Sequence, residues 1–472
     1  MGRSERQTNI LLMIADDLGR DTGCLGNPAA ETPNLDRFAS EGVIFEQAFC
    51  TTATCSASRS VIYTGVHNHQ SGHYGHCHGH HHFMTLDSIE SAPRIFNRAG
   101  YLTAIVGKIH VGPDHVYPWQ MRLEGFQGNR DVAAMSRAAG AVFRQDPGRP
   151  FFLTVGFGDP HRDGTRKGFA NRDYPGVERR RFPPEEVVVP SFLPDLPEVR
   201  EELAEYTQSV HRLDQGVGMI LRELEDSGRA ADTLVLFVSD NGIPFPGSKT
   251  TLFEPGIHLP MFLRIPGAHG AGVRGAAGVR NPNLVSYTDI LPSLLDWAGI
   301  RAPNPLRKGR SLLSIASESR ELPDWAEIYC SHTFHEVTNY YPTRVLRTRG
   351  YKYHKNVVWK ADFPFASDLY ASLTWEAARK TGGGRLGKRT LRDYVQRPHE
   401  ELYDLEADPD EVRNLAADPA HRETLLDMRR RVERWQEQTD DPWLFKDGVS
   451  VRAVRRYVEQ GLALPDRHDM EV

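Results

Sequence analysis

The sequence predicts an α/β fold built on a mainly parallel sheet, and three observations predict it. Four short runs are apolar throughout, as strands covered on both faces require: 9–14 (NILLMI), 102–106 (LTAIV), 151–155 (FFLTV) and 234–238 (LVLFV). Helix-like segments at 34–41, 92–99 and 201–225 fall between them, the alternation of strand–helix–strand units. Each run also ends in charged or imidazole groups: Asp16 and Asp17, then Lys108 and His110, then Asp159 and His161, then Asp240 and Asn241. Parallel sheets bind ligands beyond the carboxyl ends of their strands, so four such ends imply one shared site. A single aspartate after a strand is an ordinary helix cap; four decorated ends ask for another explanation.

A chain of 472 residues exceeds what one core usually fills and fits two domains. We place the large one at 1–345 and a smaller α+β domain with a small antiparallel sheet at 346–472. Strand-like alternation around 343–356 (TRVLRTRGYKYHKN) and turn chemistry at 401–415 lead into an expected helix at 419–438. That helix carries Leu425, Leu426, Met428, Val432 and Trp435 on roughly one face. The glycine-rich run 267–283 lacks phosphate-loop spacing and reads as an exposed loop.

A net charge of -5 gives no general reason for nucleic acid or an anionic membrane as partner. No apolar run reaches the roughly 18 residues of a membrane span. The first residues lack the apolar stretch and cleavage site of a secretory signal, and the five cysteines at 24, 50, 55, 77 and 330 are scattered. A cytoplasmic location is therefore expected.

Asp16, Asp17, Asp240 and Asn241 are all oxygen donors. They suit calcium, or magnesium as second choice, rather than zinc. Arg59, Lys108 and Lys249 add fixed positive charge, and His110 and His161 can move protons near neutral pH. The set suits a tetrahedral anion in transit between acceptors. Its nucleophile is the open question, and Cys55, in TTATCSASRSVIYTG, is the candidate. Residues 56–64 can form a helix with Cys55 at its N-terminal end, where backbone N–H groups favour an anion. Arg59 then lies one turn on, on the same face. A thiolate partners a hard cation poorly, whereas an oxygen at this position would complete the shell. A buried cysteine packing as a small apolar residue is the alternative.

The run from Cys55 to Gly65 resembles the signature of the sulfatase family, in which the cysteine is oxidised to formylglycine after translation. The resemblance extends over nearly the whole chain, through IADDLGRD, GKIHVGPDHVYP, DPHR, DQGVG, FVSDNGIPFP, HEVTNYYPTR, ELYDLEADP and DDPW. It is strongest to the branch acting on the N-sulfated glucosamine of heparan sulfate. It implies the alkaline-phosphatase-like fold, with Asp16, Asp17, Asp240, Asn241 and modified Cys55 as calcium ligands. It further implies that Arg59 holds the formylglycine hydrate, that Lys108, His161 and Lys249 bind the sulfuryl oxygens or protonate the leaving group, and that His110 assists the aldehyde cycle. One hydrate hydroxyl would attack sulfur to give a sulfated enzyme, and the second would expel sulfate. A homodimer and a formylglycine-generating maturase are implied partners. Ala57 replaces the usual proline of the signature, which fits a variant handled by radical-type maturases, and Lys249 replaces an arginine of the closest branch. An O-sulfatase, or a phosphonate or phosphate monoester hydrolase, would use the same core. Without maturation of Cys55 the protein would be a non-catalytic anion- or glycan-binding one.

The tract 67–82 (HNHQSGHYGHCHGHHH) reads as a polar loop rimming the pocket in preference to a metal-binding loop. His335, Glu336 and Arg344 are candidates to recognise sugar hydroxyls or a carboxylate, with packing in the second domain an equal alternative, as for Asp441 and Trp443.

Overall fold

Eight strands form the large sheet: β1 (Asn9–Ala15), β2 (Val43–Phe49), β3 (Leu102–Gly107), β4 (Met121–Leu123), β5 (Phe151–Gly156), β6 (Thr233–Ser239), β7 (Met261–Arg264) and β8 (Val279–Ser286). The structure is a computed structural model that describes residues 8–165, 168–267, 276–380, 384–444, 458–459 and 461. The strand order is β4-β3-β5-β1-β6-β7-β2-β8. β1 runs parallel to β5 and β6, β3 to β4 and β5, and β2 to β8, while β7 is antiparallel to both its neighbours.

The central strands are apolar at every position because both faces are covered. Ile10, Leu12 and Ile14 of β1 join one core cluster, Leu11, Met13 and Ala15 the other, as the two-residue period of a strand dictates. One face packs on the helices Val132–Gln145 and Pro197–Asp226, the other on α2 (Cys55–Thr64), Ala92–Arg98 and Ile290–Ala298, while α1 (Pro33–Ser40) covers the first face beside β7.

The second sheet is antiparallel throughout. It comprises β9 (Glu327–His332), β10 (Thr343–Thr348), β11 (Tyr351–Asn356) and, after a short ribbon of β12 (Arg385–Leu386) and β13 (Arg389–Thr390), β14 (Glu400–Asp404), in the order β14-β11-β10-β9. Its first strand starts at Glu327, upstream of the boundary expected at 345. The helix Arg422–Gln438 lays Leu425, Met428 and Val432 on Leu346, Tyr353 and Leu402, and stacks Trp435 on Tyr329; Leu426, expected on the same face, is only half-buried.

The reading of 267–283 as a loop fails at its end, where the residues from Val279 on open β8, and 268–275 lie outside the described residues. Among the described residues, no helix is long and apolar enough to cross a membrane.

Candidate active site

β1 and β6 are neighbours with Ala15 opposite Ser239, so their ends deliver Asp16, Asp17, Asp240 and Asn241 side by side. The Asp17 backbone N–H donates to Asp240 Oδ1 at 3.1 Å, and Asn241 Nδ2 donates to Asp17 Oδ1 at 2.7 Å. That orientation leaves Asn241 Oδ1 buried without a hydrogen-bond partner, and Asp16 Oδ1 is in the same condition.

β3 ends in Gly107 with φ 90°, and a Cβ there would meet the Gly156 carbonyl oxygen at 2.2 Å. A Cβ on Gly156, at the end of β5, would lie 2.2 Å from the Lys108 carbonyl oxygen and 3.0 Å from Arg59 Nη1. The two glycines thus permit the close approach that brings Lys108 against Arg59. Asp17, His110 and Thr250 hold positive φ of 65°, 56° and 68°. For residues with a Cβ this costs on the order of 1–3 kcal/mol each, a strain that tends to collect at functional sites.

Helix α2 begins at Cys55, and all ten of its residues are buried. Arg59, one turn on, does not float towards solvent: Nε donates to Asp240 Oδ2 at 2.8 Å and Nη1 to the Lys108 carbonyl at 3.2 Å. Nη2 has no hydrogen-bond partner, and Asp16 Oδ1 lies 4.0 Å away. Cys55 Sγ groups with one carboxylate oxygen each of Asp16 and Asp240, all within 4.8 Å of one another.

Three cations surround these acids. Lys108 Nζ donates to Asp16 Oδ2 at 2.5 Å; Lys249 Nζ donates to Asp17 Oδ2 at 2.8 Å, to Asp368 Oδ2 at 3.1 Å and to His161 Nε2 at 3.0 Å. Burial alone would raise the Asp16 carboxyl, but Lys108, His161 and Arg59 together hold it well below the carboxylate range. Asp240 goes the other way, pushed up to about 7 by burial and the charge of Asp16. Burial opposes the charged form of Lys249, yet Asp17 and Asp368 hold its ammonium well above the usual value. The Cys55 thiol is pushed up to about 12, chiefly by burial, so it is neutral at pH 7. His161 is lowered by burial and then by Lys249; its Nδ1 donates to the Arg162 carbonyl at 2.5 Å, which leaves Nε2 as acceptor.

A cleft of about 650 Å³ opens onto this cluster, lined by Cys55, Lys108, His110, His161, Lys249, His335 and Glu336 among others. Arg344 is elsewhere: fully buried, it clasps Asp441 through Nε at 2.6 Å and Nη2 at 2.8 Å and lies over Trp443. Of the two readings left open for Arg344, substrate recognition and packing, this geometry is that of packing, because its guanidinium is spent on Asp441. Asp159 is likewise consumed by Arg130 and Arg212. Sequence reasoning missed Asp368, whose carboxyl Lys249 and His161 hold at about 2 against the upward push of burial. Of the tract 67–82, read as a loop rimming the pocket, His76, His78 and His81 line the cleft, while His67 and His69 pack on Trp435. A larger cavity of about 870 Å³ among Trp359, Arg389 and Arg397 holds none of this machinery, and Arg397 there is paired with Glu401.

Comparison with known proteins agrees with this geometry. The family model described as Sulfatase matches residues 8–300. The chain is 36% identical to human N-sulphoglucosamine sulphohydrolase over 471 residues, covering 94% of this chain and 93% of the relative. It is 26% identical to an ulvan-active sulfatase of Formosa agariphila, covering 92% and 80%. A protein solved in complex with its substrate D-glucosamine-2-N,6-O-disulfate superposes with TM-score 0.68 at 19% identity, covering 93% of this chain and 99% of the other. The phosphonate monoester hydrolase of Agrobacterium radiobacter superposes with TM-score 0.64 at 20% identity, covering 92% and 96%. With three buried aspartates and an asparagine at two strand ends, an arginine one turn beyond Cys55 and a family match over most of its length, the chain belongs to the sulfatase family of hydrolases.

Proposed function

We propose that the protein is a formylglycine-dependent sulfohydrolase that removes sulfate from N-sulfated glucosamine. The observation that carries the substrate class is the 36% identity, over nearly the full length of both chains, to a relative named for hydrolysing N-sulphoglucosamine. The thiol itself is no nucleophile, since burial keeps it protonated at pH 7. Formylglycine at position 55 supplies a hydrated aldehyde whose hydroxyl attacks sulfur. Its formation is a two-electron oxidation in which the Cβ–S bond breaks, sulfur leaves as hydrogen sulfide and water supplies the aldehyde oxygen, and a maturase of the radical type supplies the electron acceptor.

The oxygen donors fit a hard divalent cation, calcium before magnesium. Asp16 Oδ1 and Asn241 Oδ1 are buried acceptors without hydrogen bonds, and Asp240 is destabilised as an anion by its acidic neighbour. Asp16, Asp17, Asp240 and Asn241 would hold the ion, which would supply Lewis-acid polarisation of an oxygen. The chain's own groups do the rest. Arg59 is fixed by Asp240 with its Nη2 left to hold the hydrate formed at position 55, one helical turn back, while Lys108 and Lys249 stabilise charge on sulfuryl oxygens. Lys249 and His161 form a path for a proton to the leaving amine, ending at His161 Nε2. His335 and Glu336 line the cleft wall where the sugar would sit.

A cytoplasmic location fits this reading, as all five cysteines are free. Incubation of matured enzyme with N-sulfoglucosamine, 4-nitrophenyl sulfate and a phosphonate monoester tests the substrate class. Sulfate release from the first is expected, and turnover of either of the others alone would overturn it.

A further inference from the structure

Two ligand sets meet at position 55. Cys55 groups with Asp16 and Asp240, and separately with His76 and His110; in each trio the ligand atoms all lie within 4.8 Å of one another. In the first set only the two carboxylate oxygens suit a hard cation, and the sulfur does not. The second, one sulfur and two imidazole nitrogens, suits zinc-type ions and not calcium. The approach is already close: tetrahedral Zn–N and Zn–S bonds of about 2.0–2.3 Å need only a modest contraction of such a trio.

The imidazoles are arranged as ligating imidazoles are. His76 Nε2 lies 3.0 Å from His335 Nε2, and His110 Nε2 lies 2.7 Å from His78 Nδ1. Nδ1 of His76 and Nδ1 of His110 are both buried without a hydrogen-bond partner. A ring that donates one N–H to an outer partner presents its other nitrogen unprotonated, the state in which histidine binds metal. His335 and His78 thus stand where the outer partners of ligating histidines stand. His76 is 7% and His335 3% exposed, and burial followed by neighbouring positive or imidazole groups keeps His76, His110 and His335 neutral.

We propose that, while position 55 is still cysteine, Cys55, His76 and His110 bind one zinc-type divalent cation, and that conversion to formylglycine abolishes the site. Binding forms the sulfur–metal bond and releases the thiol proton to solvent. Conversion removes the sulfur and leaves two imidazoles without their third ligand. Only this second half rests on the maturation reading. A metal-bound sulfur is also withheld from the maturase, so free zinc slows maturation.

The test uses the full chain produced without a maturase and titrated with Co²⁺, whose sulfur ligation absorbs by sulfur-to-metal charge transfer. About one equivalent is expected to bind with that absorption, and Cys55→Ser removes the absorption. His76→Asn weakens binding by about tenfold or more with an unchanged thermal melt. No charge-transfer band, a band that survives Cys55→Ser, or unaltered affinity in His76→Asn overturns the proposal. If His76→Asn melts early, the Cys55→Ser comparison decides alone. Intact mass after co-production with a maturase reads conversion separately, as a loss of about 18 Da. A failure there sinks the maturation reading and leaves the metal result standing.

Discussion

Arg59 and Arg344 are among the bulkiest side chains in the protein with no exposure, and each leans on one buried aspartate. Around Arg344 every guanidinium nitrogen is engaged: Nε and Nη2 hold Asp441, and Nη1 donates to the His332 carbonyl at 2.9 Å. Around Arg59 the pairing is incomplete, with Nη2 and its neighbour Asp16 Oδ1 both lacking hydrogen bonds. Burying a polar atom without a partner is costly. A cluster that retains such atoms beside Cys55 is built to hold a ligand, whereas the saturated pair pins the segment after the helix Arg422–Gln438 to β10.

Substitutions should separate the two regions, beginning with the largest effect. Cys55→Ala removes the only route to the formylglycine nucleophile; sulfate release should fall on the order of 10⁴-fold or more with the melting temperature retained. Chelation should follow: dialysis against chelator is expected to abolish turnover and calcium to restore it, and recovery with zinc alone would contradict the oxygen assignment. Arg59→Lys keeps the charge but loses the planar fork, and in fully converted protein turnover should drop on the order of a hundredfold or more. Near-normal turnover would make Arg59 as structural as Arg344.

Arg344→Met should do the opposite. It strands Asp441 as a buried unpaired charge, so denaturant unfolding should show a loss of about 3–5 kcal/mol while the folded enzyme keeps its kcat. The smallest effect is in the pH profile. Burial would raise Asp441, but Arg344 holds its carboxyl well below the usual range. A depressed native value means the pair's contribution is full above the unfolded carboxyl value of about 4 and is lost as pH falls below it. The stability difference between wild type and Asp441→Asn should therefore stay constant from pH 7 to about 5 and shrink below about 4.

How much of this was legible in the sequence depended on how local the cause was. β1, β3, β5 and β6 showed as continuous apolar runs because both faces are covered. β2 was missed because Glu46 and Gln47 interrupt it, and β8 because Pro282 argues against a strand; Pro282 is tolerated since β8 is a sheet edge. Strand-end acids, Lys108 and the α2 turn from Cys55 to Arg59 were legible, since strand register and helix spacing place them. Arg344 stayed open between substrate and packing because its partner is 97 residues away, and nothing local tells a guanidinium that meets substrate from one that meets Asp441. Asp368 sits in a four-residue helix without periodicity, and only the fold brings it to Lys249, 119 residues distant.

The central claim is that position 55, once converted, hydrolyses the N-sulfate of glucosamine. The most direct test is sulfate release from N-sulfoglucosamine in calcium across preparations that differ in formylglycine content, with content read from the loss of about 18 Da at position 55. The account predicts a rate proportional to that content and no rate in the unconverted chain. Fully converted enzyme that releases no sulfate from N-sulfoglucosamine, or equal release by unconverted chain, would contradict it.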